Sequence, residues 1–370
     1  MIKQNKKYKI ALVGYRLNNG GLEKVMSSLS VYLGKHNVEI HNILFVDDIS
    51  YPYLGKLINI GKMKLDNVGL FGKLKLFFFF KKYIKDNQFD YIIDFRYRIK
   101  PLQEYIWSKC IYNNKTIYTI HNSKLKTYLP DSRFLTKQIC KGKHSVVCVS
   151  QEIKNLVAEK YTIKNLVTIN NPIDIDDIKG KSSEKDVLNF PYIIAVGRFD
   201  AQNVKQFDRL IIAYSESILP EKGISLVLLG EGELKDFYKE VAIKMRVADK
   251  VYFEGFKSNP YKYLKNAKFL VMCSKHEGFP MTLIESLACE TPVVSFDCVS
   301  GPNEIIKDKE NGLLVENQNF ENLTDAMNLL TENIVLYQHC KNNSLKSAER
   351  FSIEKIGKQW QDLMGITIYS

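Results

Sequence analysis

Short β-branched apolar runs alternate along this chain with stretches whose apolar residues recur three and four positions apart. That alternation predicts an α/β fold, a parallel sheet flanked by helices. In the first half the predicted strands are 9–14, 38–46, 90–95, 116–120, 145–149 and 166–169. The second half repeats the theme at 192–197, 225–229, 250–253, 268–272, 292–296 and 312–315. Between the halves, Asn170-Asn171-Pro172 opens a polar stretch reaching residue 189, a turn and linker signature. Two doubly wound domains are therefore expected, 1–172 and 173–351, with the final helix in 352–370 rejoining the first. Ligands of such folds bind in a cleft beyond the carboxyl ends of the strands.

A chain of 370 residues suits two cores better than one. Its apolar fraction of 45% and charged fraction of 25% are those of a globular protein. No run of eighteen apolar residues occurs, so no spanning helix is expected. The basic, then apolar N-terminus superficially resembles a signal peptide, but its short apolar run leads straight into a glycine turn and reads as the first strand. Seven scattered cysteines without a CxxC pair suggest reduced thiols in a cytoplasm.

Charge divides the chain. Residues 1–172 carry 29 Lys and Arg against 12 Asp and Glu, a net of +17, whereas the remainder carries a net of −5. An anionic partner for the N-terminal half follows. No zinc finger or RNP-type motif supports nucleic acid. The densest stretch, 56–85, places eight lysines around Leu70, Phe71 and the run Phe77 to Phe80, so an anionic membrane surface is the expected partner. A core helix with a solvated lysine face would give the same composition.

Several junctions carry candidate chemistry. Gly20-Gly21 follows the first strand and precedes a helix marked by Leu22, Val25, Met26, Leu29 and Leu33. Glycine admits close approach of backbone to a ligand, and a helix N-terminus attracts phosphate. A plain tight turn explains the pair equally well, and the GxGxxG dinucleotide fingerprint is absent. His121 stands directly after the strand 116–120, at the cleft edge. Arg198 ends another strand and Lys205 precedes the next helix, two cations suited to a departing diphosphate or simply surface charge. Arg96 and Arg98, around Tyr97 at a strand end, are candidate acceptor contacts. Asp174-Ile175-Asp176 mimics a metal-binding DxD, but it falls in the linker, so no metal is expected.

The most specific segment is CSKHEGFPMTLIESLACETPVVSFDCVSGPNEII, residues 273–306. Glu277 sits before a Gly-Phe-Pro loop, and Glu285 falls about one and a half turns into the following helix. One carboxylate can accept bonds from sugar hydroxyls and the other from a diol such as ribose, with the helix N-terminus aimed at phosphate between them.

The E-x7-E pattern with TPVVSFDCVSGPNEII resembles the retaining glycosyltransferases of family GT4, which have the GT-B fold. The resemblance extends over nearly the whole chain through GG-E, TIHNS, VGRFD…K, LLGEGE and EGFKSNPYKYL. It implies that Gly20 and Gly21 offer backbone to donor phosphates, that His121 contacts the transferring sugar, and that Arg198 and Lys205 neutralise the leaving diphosphate. Gly230, Glu231, Gly232, Phe256, Lys257 and Asn259 would line the base pocket. Glu277 would hold sugar hydroxyls beside Gly278, Phe279, Pro280, Met281 and Thr282, and Glu285 would bind ribose. Arg198 and Lys205 are seven apart where the family spaces them by five, an insertion that weakens the assignment of Lys205.

The implied activity is metal-independent, retaining transfer of a hexose or N-acetylhexosamine from a nucleotide sugar, expected to be UDP-linked, to a glycolipid or lipid-linked acceptor in bacterial surface glycan synthesis. The competing readings are a non-catalytic glycosyltransferase-like subunit and a UDP-sugar epimerase of similar fold.

Overall fold

The computed structural model describes residues 7–18, 20–64, 66, 69–184 and 188–367. Residues up to Pro172 together with the chain from Ile353 onward form one compact unit, and Ile173–Ser352 form a second.

Among the described residues the first unit holds a seven-stranded sheet. Its strands are β1 (Lys9–Gly14), β2 (Glu39–Leu44), β3 (Lys56–Asn59), β4 (Tyr91–Asp94), β5 (Thr116–Ile120), β6 (Ser145–Cys148) and β7 (Leu166–Thr168). They lie in the order β3-β2-β1-β4-β5-β6-β7, every pairing parallel. The second unit holds six: β8 (Tyr192–Val196), β9 (Ser225–Leu229), β10 (Val251–Gly255), β11 (Leu270–Met272), β12 (Val293–Phe296) and β13 (Gly312–Val315), ordered β10-β9-β8-β11-β12-β13 and again parallel. Helices cover the faces, so the central strands are apolar along their length: Ile10 to Val13 and Ile193 to Ala195 are fully buried.

Each order reverses once, between β1 and β4 and between β8 and β11. Loops leaving the carboxyl ends on either side of such a reversal splay apart and open a crevice. The Gly20-Gly21 loop follows β1. The loops carrying Arg198 to Lys205 and Glu277 to Pro280 follow β8 and β11.

Three local expectations change. β3 lies in the stretch expected to be one basic, greasy segment, and it is half exposed at the sheet edge. A helical turn, Ile60–Met63, and the helix Gly69–Asn87 follow it, while residues 65, 67 and 68 of that stretch lie outside the described residues. The polar stretch after Pro172 holds the helix Ile175–Ser182, packed on the helix Tyr261–Asn266. Asp174 caps it by accepting from Asp177 N at 2.9 Å, a structural use for half of the DxD look-alike. Residues 185–187 of the stretch lie outside the described residues.

The helix Ile353–Met364 belongs to the first unit. Gln361 Nε2 donates to the Tyr32 hydroxyl at 2.7 Å, and the Leu363 carbonyl lies 2.8 Å from His144 Nε2. No described helix is long and apolar enough to cross a membrane.

Candidate active site

In the second unit, Lys205 and Glu277 meet: Lys205 Nζ donates to Glu277 Oε1 at 2.6 Å. Backbone connections set this pair. Lys275 N donates to Val204 O at 2.9 Å, the Cys273 thiol donates to Lys205 O at 3.2 Å, and Gln206 Nε2 donates to Cys273 O at 2.8 Å. The loop after β8 is thus laced to the loop after β11. Its two extra residues are absorbed by left-handed backbone at Asn203 and Gln206, with φ of 46° and 52°. Asn203 is fixed by Asp208 and by the Tyr238 hydroxyl. The insertion therefore leaves Lys205 facing Glu277. Arg198, by contrast, is 82% exposed and lies 3.9 Å from Asp200.

The Glu277 backbone is clamped by the next loop. Glu277 N donates to Val299 O at 2.7 Å, Ser300 N to Glu277 O at 3.2 Å, and Ser300 Oγ to Gly278 O at 2.6 Å. Gly301, at φ 103°, lies so close that a Cβ there would be 2.8 Å from Pro280 Cδ and 3.1 Å from Phe279 Cα. Ser300 and Gly301 are site-shaping residues missed as individuals in the sequence, although Gly301 opens the quoted GPNEII. Pro280 is the N-cap of the helix Met281–Ala288 and not its first residue. No side chain caps that terminus and no acid occupies its first turn, so its positive end is not neutralised locally. Met281 and Thr282 are half-buried in the first turn, and Glu285 is buried one turn on.

Gly230 and Gly232 have a structural cause. A Cβ on Gly230 would stand 1.8 Å from Gly197 O, and one on Gly232 would stand 2.4 Å from Phe199 O. Only glycine lets the loop after β9 lie against the loop after β8, joined by Phe199 N to Glu231 O at 3.0 Å and Leu234 N to Phe199 O at 2.9 Å. Glu231 pairs with Lys235, Lys257 pairs with Glu254, and Asn259 Nδ2 donates to Lys181 O. Phe256 is largely exposed.

In the first unit, Gly20 is the extended N-cap of the helix Gly21–Lys35. The Glu23 carboxylate folds into the space a Cβ on Gly20 would need, 1.9 Å from Oε2. His121 follows β5 with its ring beside Phe95 and Tyr128, at centroid distances of 5.6 Å and 6.4 Å. Both ring nitrogens are buried and have no hydrogen-bond partner among the described residues. Burial, and secondarily the Arg98 charge, push its pKa down to about 3, so the ring is neutral at physiological pH.

Arg96 and Arg98 are not placed to touch an acceptor. Both are 1% exposed. Arg96 makes a two-pronged bond to Asp94 at 3.0 Å and 2.9 Å, reaches Glu104 at 3.0 Å, and lies 4.3 Å over Trp107. Arg98 donates to the carbonyls of Thr119 at 2.7 Å, Tyr128 at 2.9 Å and Arg96 at 3.1 Å. A buried guanidinium must be satisfied inside the protein, and here both are. Arg98 thereby fixes the two backbone points that flank His121.

Residues 176–347 match the family model described as glycosyl transferases group 1, and residues 19–177 match glycosyltransferase family 4. The chain is 30% identical over 362 residues to the N-acetylgalactosamine-N,N'-diacetylbacillosaminyl-diphospho-undecaprenol 4-alpha-N-acetylgalactosaminyltransferase of Campylobacter jejuni, covering 95% of this chain and 97% of that one. It is 26% identical over 352 residues to the amylovoran biosynthesis glycosyltransferase AmsD of Erwinia amylovora, covering 94% and 96%. Among solved structures, HepE of Anabaena in complex with UDP and glucose superposes with a TM-score of 0.77 at 17% identity, covering 97% of this chain and all of that one. With the two parallel sheets and these matches in hand, the chain belongs to the GT-B glycosyltransferases of the group 1, family 4 type.

Proposed function

We propose that this protein is a retaining glycosyltransferase that moves a hexose or N-acetylhexosamine from a UDP-sugar to a lipid-linked or glycolipid acceptor in bacterial surface glycan synthesis. The observation that carries the reading is the Lys205–Glu277 pair, held where two loops leave a sheet reversal and followed directly by an uncapped helix N-terminus. A cation beside a carboxylate suits a donor that presents phosphate on one side and sugar hydroxyls on the other. In the transfer, the bond from the anomeric carbon to the diphosphate breaks and a bond to the acceptor oxygen forms on the same face. The acceptor proton goes to the departing phosphate oxygen. Lys205 and Arg198 balance the charge left on the diphosphate, Glu277 holds sugar hydroxyls, and His121 offers a neutral ring nitrogen to the sugar. No step in this reaction calls on a metal ion.

The acceptor class rests on charge and on the first unit's surface. On the helix Gly69–Asn87, Gly72, Leu76, Phe80 and Ile84 face inward. At 100° per residue the opposite side carries Leu70, Phe71, Leu74 and Phe78 with Lys75, Lys81, Lys82 and Lys85. Leu70, Phe71 and Phe78 are 72%, 86% and 60% exposed. Apolar and basic side chains on one exposed face suit an anionic headgroup layer, where diphosphate-linked lipid acceptors would lie. The C. jejuni relative is named for such an acceptor.

The test is UDP release from a panel of UDP-sugars with undecaprenyl-diphosphate-linked saccharides, and the anomeric configuration of the product by NMR. Glu277→Ala and Arg198→Ala should each lower turnover by about two orders of magnitude or more. An inverted product would refute retention. Conversion of the UDP-sugar without acceptor would mark an epimerase, and tight UDP binding without turnover would mark a non-catalytic subunit.

A further inference from the structure

Phe279, in the middle of the loop read above as the donor-sugar loop, is 4% exposed, and its ring packs edge-on against Phe351 at 5.3 Å and 70°. Phe351 itself is 3% exposed and stands at the end of the second unit, 72 positions further along the chain. Its backbone does something different from its ring. The Phe351 carbonyl accepts from Ile173 N at 2.9 Å, and the adjacent Ser352 forms a parallel bridge with Ile173. Ile173 and Ser352 are the first and last residues of the second unit, so the strand-like pairing there joins its entry to its exit.

The same short turn, Glu349–Phe351, also holds the loop's other neighbour. Arg350 donates from Nη2 to the carbonyls of Glu304 and Ile305 at 2.8 Å and 2.9 Å, and its guanidinium lies 4.6 Å over the Phe351 ring. Those carbonyls close the short helix Pro302–Ile305, which begins beside the Gly301 backbone that presses on Gly278 to Pro280. One turn therefore touches the loop through Phe279, the loop's clamp through Arg350, and both chain crossings through the Phe351 carbonyl. Packed interiors transmit displacement because they have no free volume in which to absorb it. A shift of Glu277 to Pro280 on binding sugar must either break the ring contact or move Phe351, and with it the Ile173 hydrogen bond.

We propose that Phe351 is a positioning residue that couples the placement of the Glu277 to Pro280 loop to the paired crossings at Ile173 and Ser352. Its consequence for donor binding rests on the reading of that loop given above, whereas the coupling itself does not.

Hydrogen exchange at the Ile173 amide in the full-length protein tests the coupling first without any ligand. Phe279→Leu keeps an apolar side chain but removes the ring edge. It should speed exchange of Ile173 at least fivefold while amides of β5 in the other unit keep their wild-type rates. An unchanged Ile173 rate, or equal acceleration in β5, overturns the coupling. The second arm compares UDP with UDP-N-acetylglucosamine, UDP-N-acetylgalactosamine, UDP-glucose and UDP-galactose. In the wild type the preferred UDP-sugar should slow Ile173 exchange beyond the effect of UDP alone. In Phe351→Leu that extra slowing should vanish, the UDP-sugar Kd should rise about tenfold, and the UDP Kd should stay within twofold. Equal weakening of UDP and UDP-sugar, or of neither, overturns the positioning role. If the wild type binds none of these sugars while Phe279→Leu still accelerates Ile173, the donor reading falls and the coupling stands.

Discussion

Lys205 Nζ lies 2.6 Å from Glu277 Oε1 although 72 residues separate them in the chain. Their side chains are 22% and 16% exposed, so the pair is largely but not wholly withdrawn from water. At that burial, removing one partner leaves a poorly hydrated charge, which costs about 1–3 kcal/mol.

Lys205→Met and Glu277→Gln should each destabilise the protein by roughly that amount, and the double variant by less than the sum of the two. Urea unfolding of the four proteins gives the coupling energy. Strict additivity would show that the contact contributes nothing. Glu277→Gln should also lower kcat/KM far more than it lowers UDP affinity, since the carboxylate is assigned to the sugar and not to the nucleotide.

His121 sets a pH dependence. Its pKa falls from 6.5 to about 3 on folding, through burial first and the Arg98 charge second. The neutral ring is favoured in the fold, so its contribution is fully present above pH 6.5 and is lost as the pH falls towards 3. Between pH 7.5 and 5 the loss should reach about 2 kcal/mol. His121→Phe should flatten that part of the stability profile in urea titrations at successive pH values. A parallel profile for variant and wild type would exclude His121 as the cause.

The buried arginines should behave as structure and not as acceptor contacts. Arg98→Leu strands the Thr119, Tyr128 and Arg96 carbonyls, and Arg96→Leu strands Asp94 and Glu104. Each should cost about 3–5 kcal/mol and appear as lost Tm or lost soluble protein. A stable Arg98→Leu variant with a raised acceptor KM would restore the acceptor role.

The surface of the helix Gly69–Asn87 gives a binding prediction. Replacing Lys75, Lys81, Lys82 and Lys85 by Glu should lower binding to vesicles rich in anionic lipid at least tenfold at low salt, given about 1 kcal/mol per lysine near the surface. Phe71→Ser with Phe78→Ser should weaken the binding that persists at high salt. Wild-type protein that ignores such vesicles would remove the membrane surface as a partner.

Gly230→Ala should be among the most damaging small substitutions in the second unit, because the new Cβ would stand 1.8 Å from a backbone oxygen that cannot rotate away. Expressed protein and Tm would report it. A neutral outcome would mean that the loops after β8 and β9 separate easily.

Much of the architecture could be read from pattern alone. β1, β5, β9 and β13 begin and end where the predicted runs do, because a strand buried on both faces is mostly apolar and β-branched, buried threonines in β5 included. β3 escaped because an edge strand of four half-exposed residues imposes no such demand on its sequence. The arginines after β4 looked like surface groups because an isolated sequence shows two cations at a strand end. The alternation Asp94, Arg96, Arg98 with Glu104 one helix start later was the available sign of a closed ion network. The seven-residue spacing from Arg198 looked damaging to Lys205 because spacing carries no φ angles, and two left-handed residues restore the direction of the chain. Phe351 carried no signal, since its partner lies far back in the sequence and neither residue is polar.

The helix Ile353–Met364 is made after the second unit and completes the unit begun before it. Its Gln361 reaches Tyr32 across 329 positions of chain. On a ribosome, the second unit has all of its residues available before the first has its final helix. The buried face of that helix includes Ile356, Trp360 and Met364, so the surface it covers on the early unit waits through the synthesis of about half the protein. A chain that stalls or is cut anywhere in the second unit leaves that apolar surface uncovered. Truncation ahead of Ile353 should therefore be felt in the sheet of the first unit, as aggregation of otherwise intact sequence.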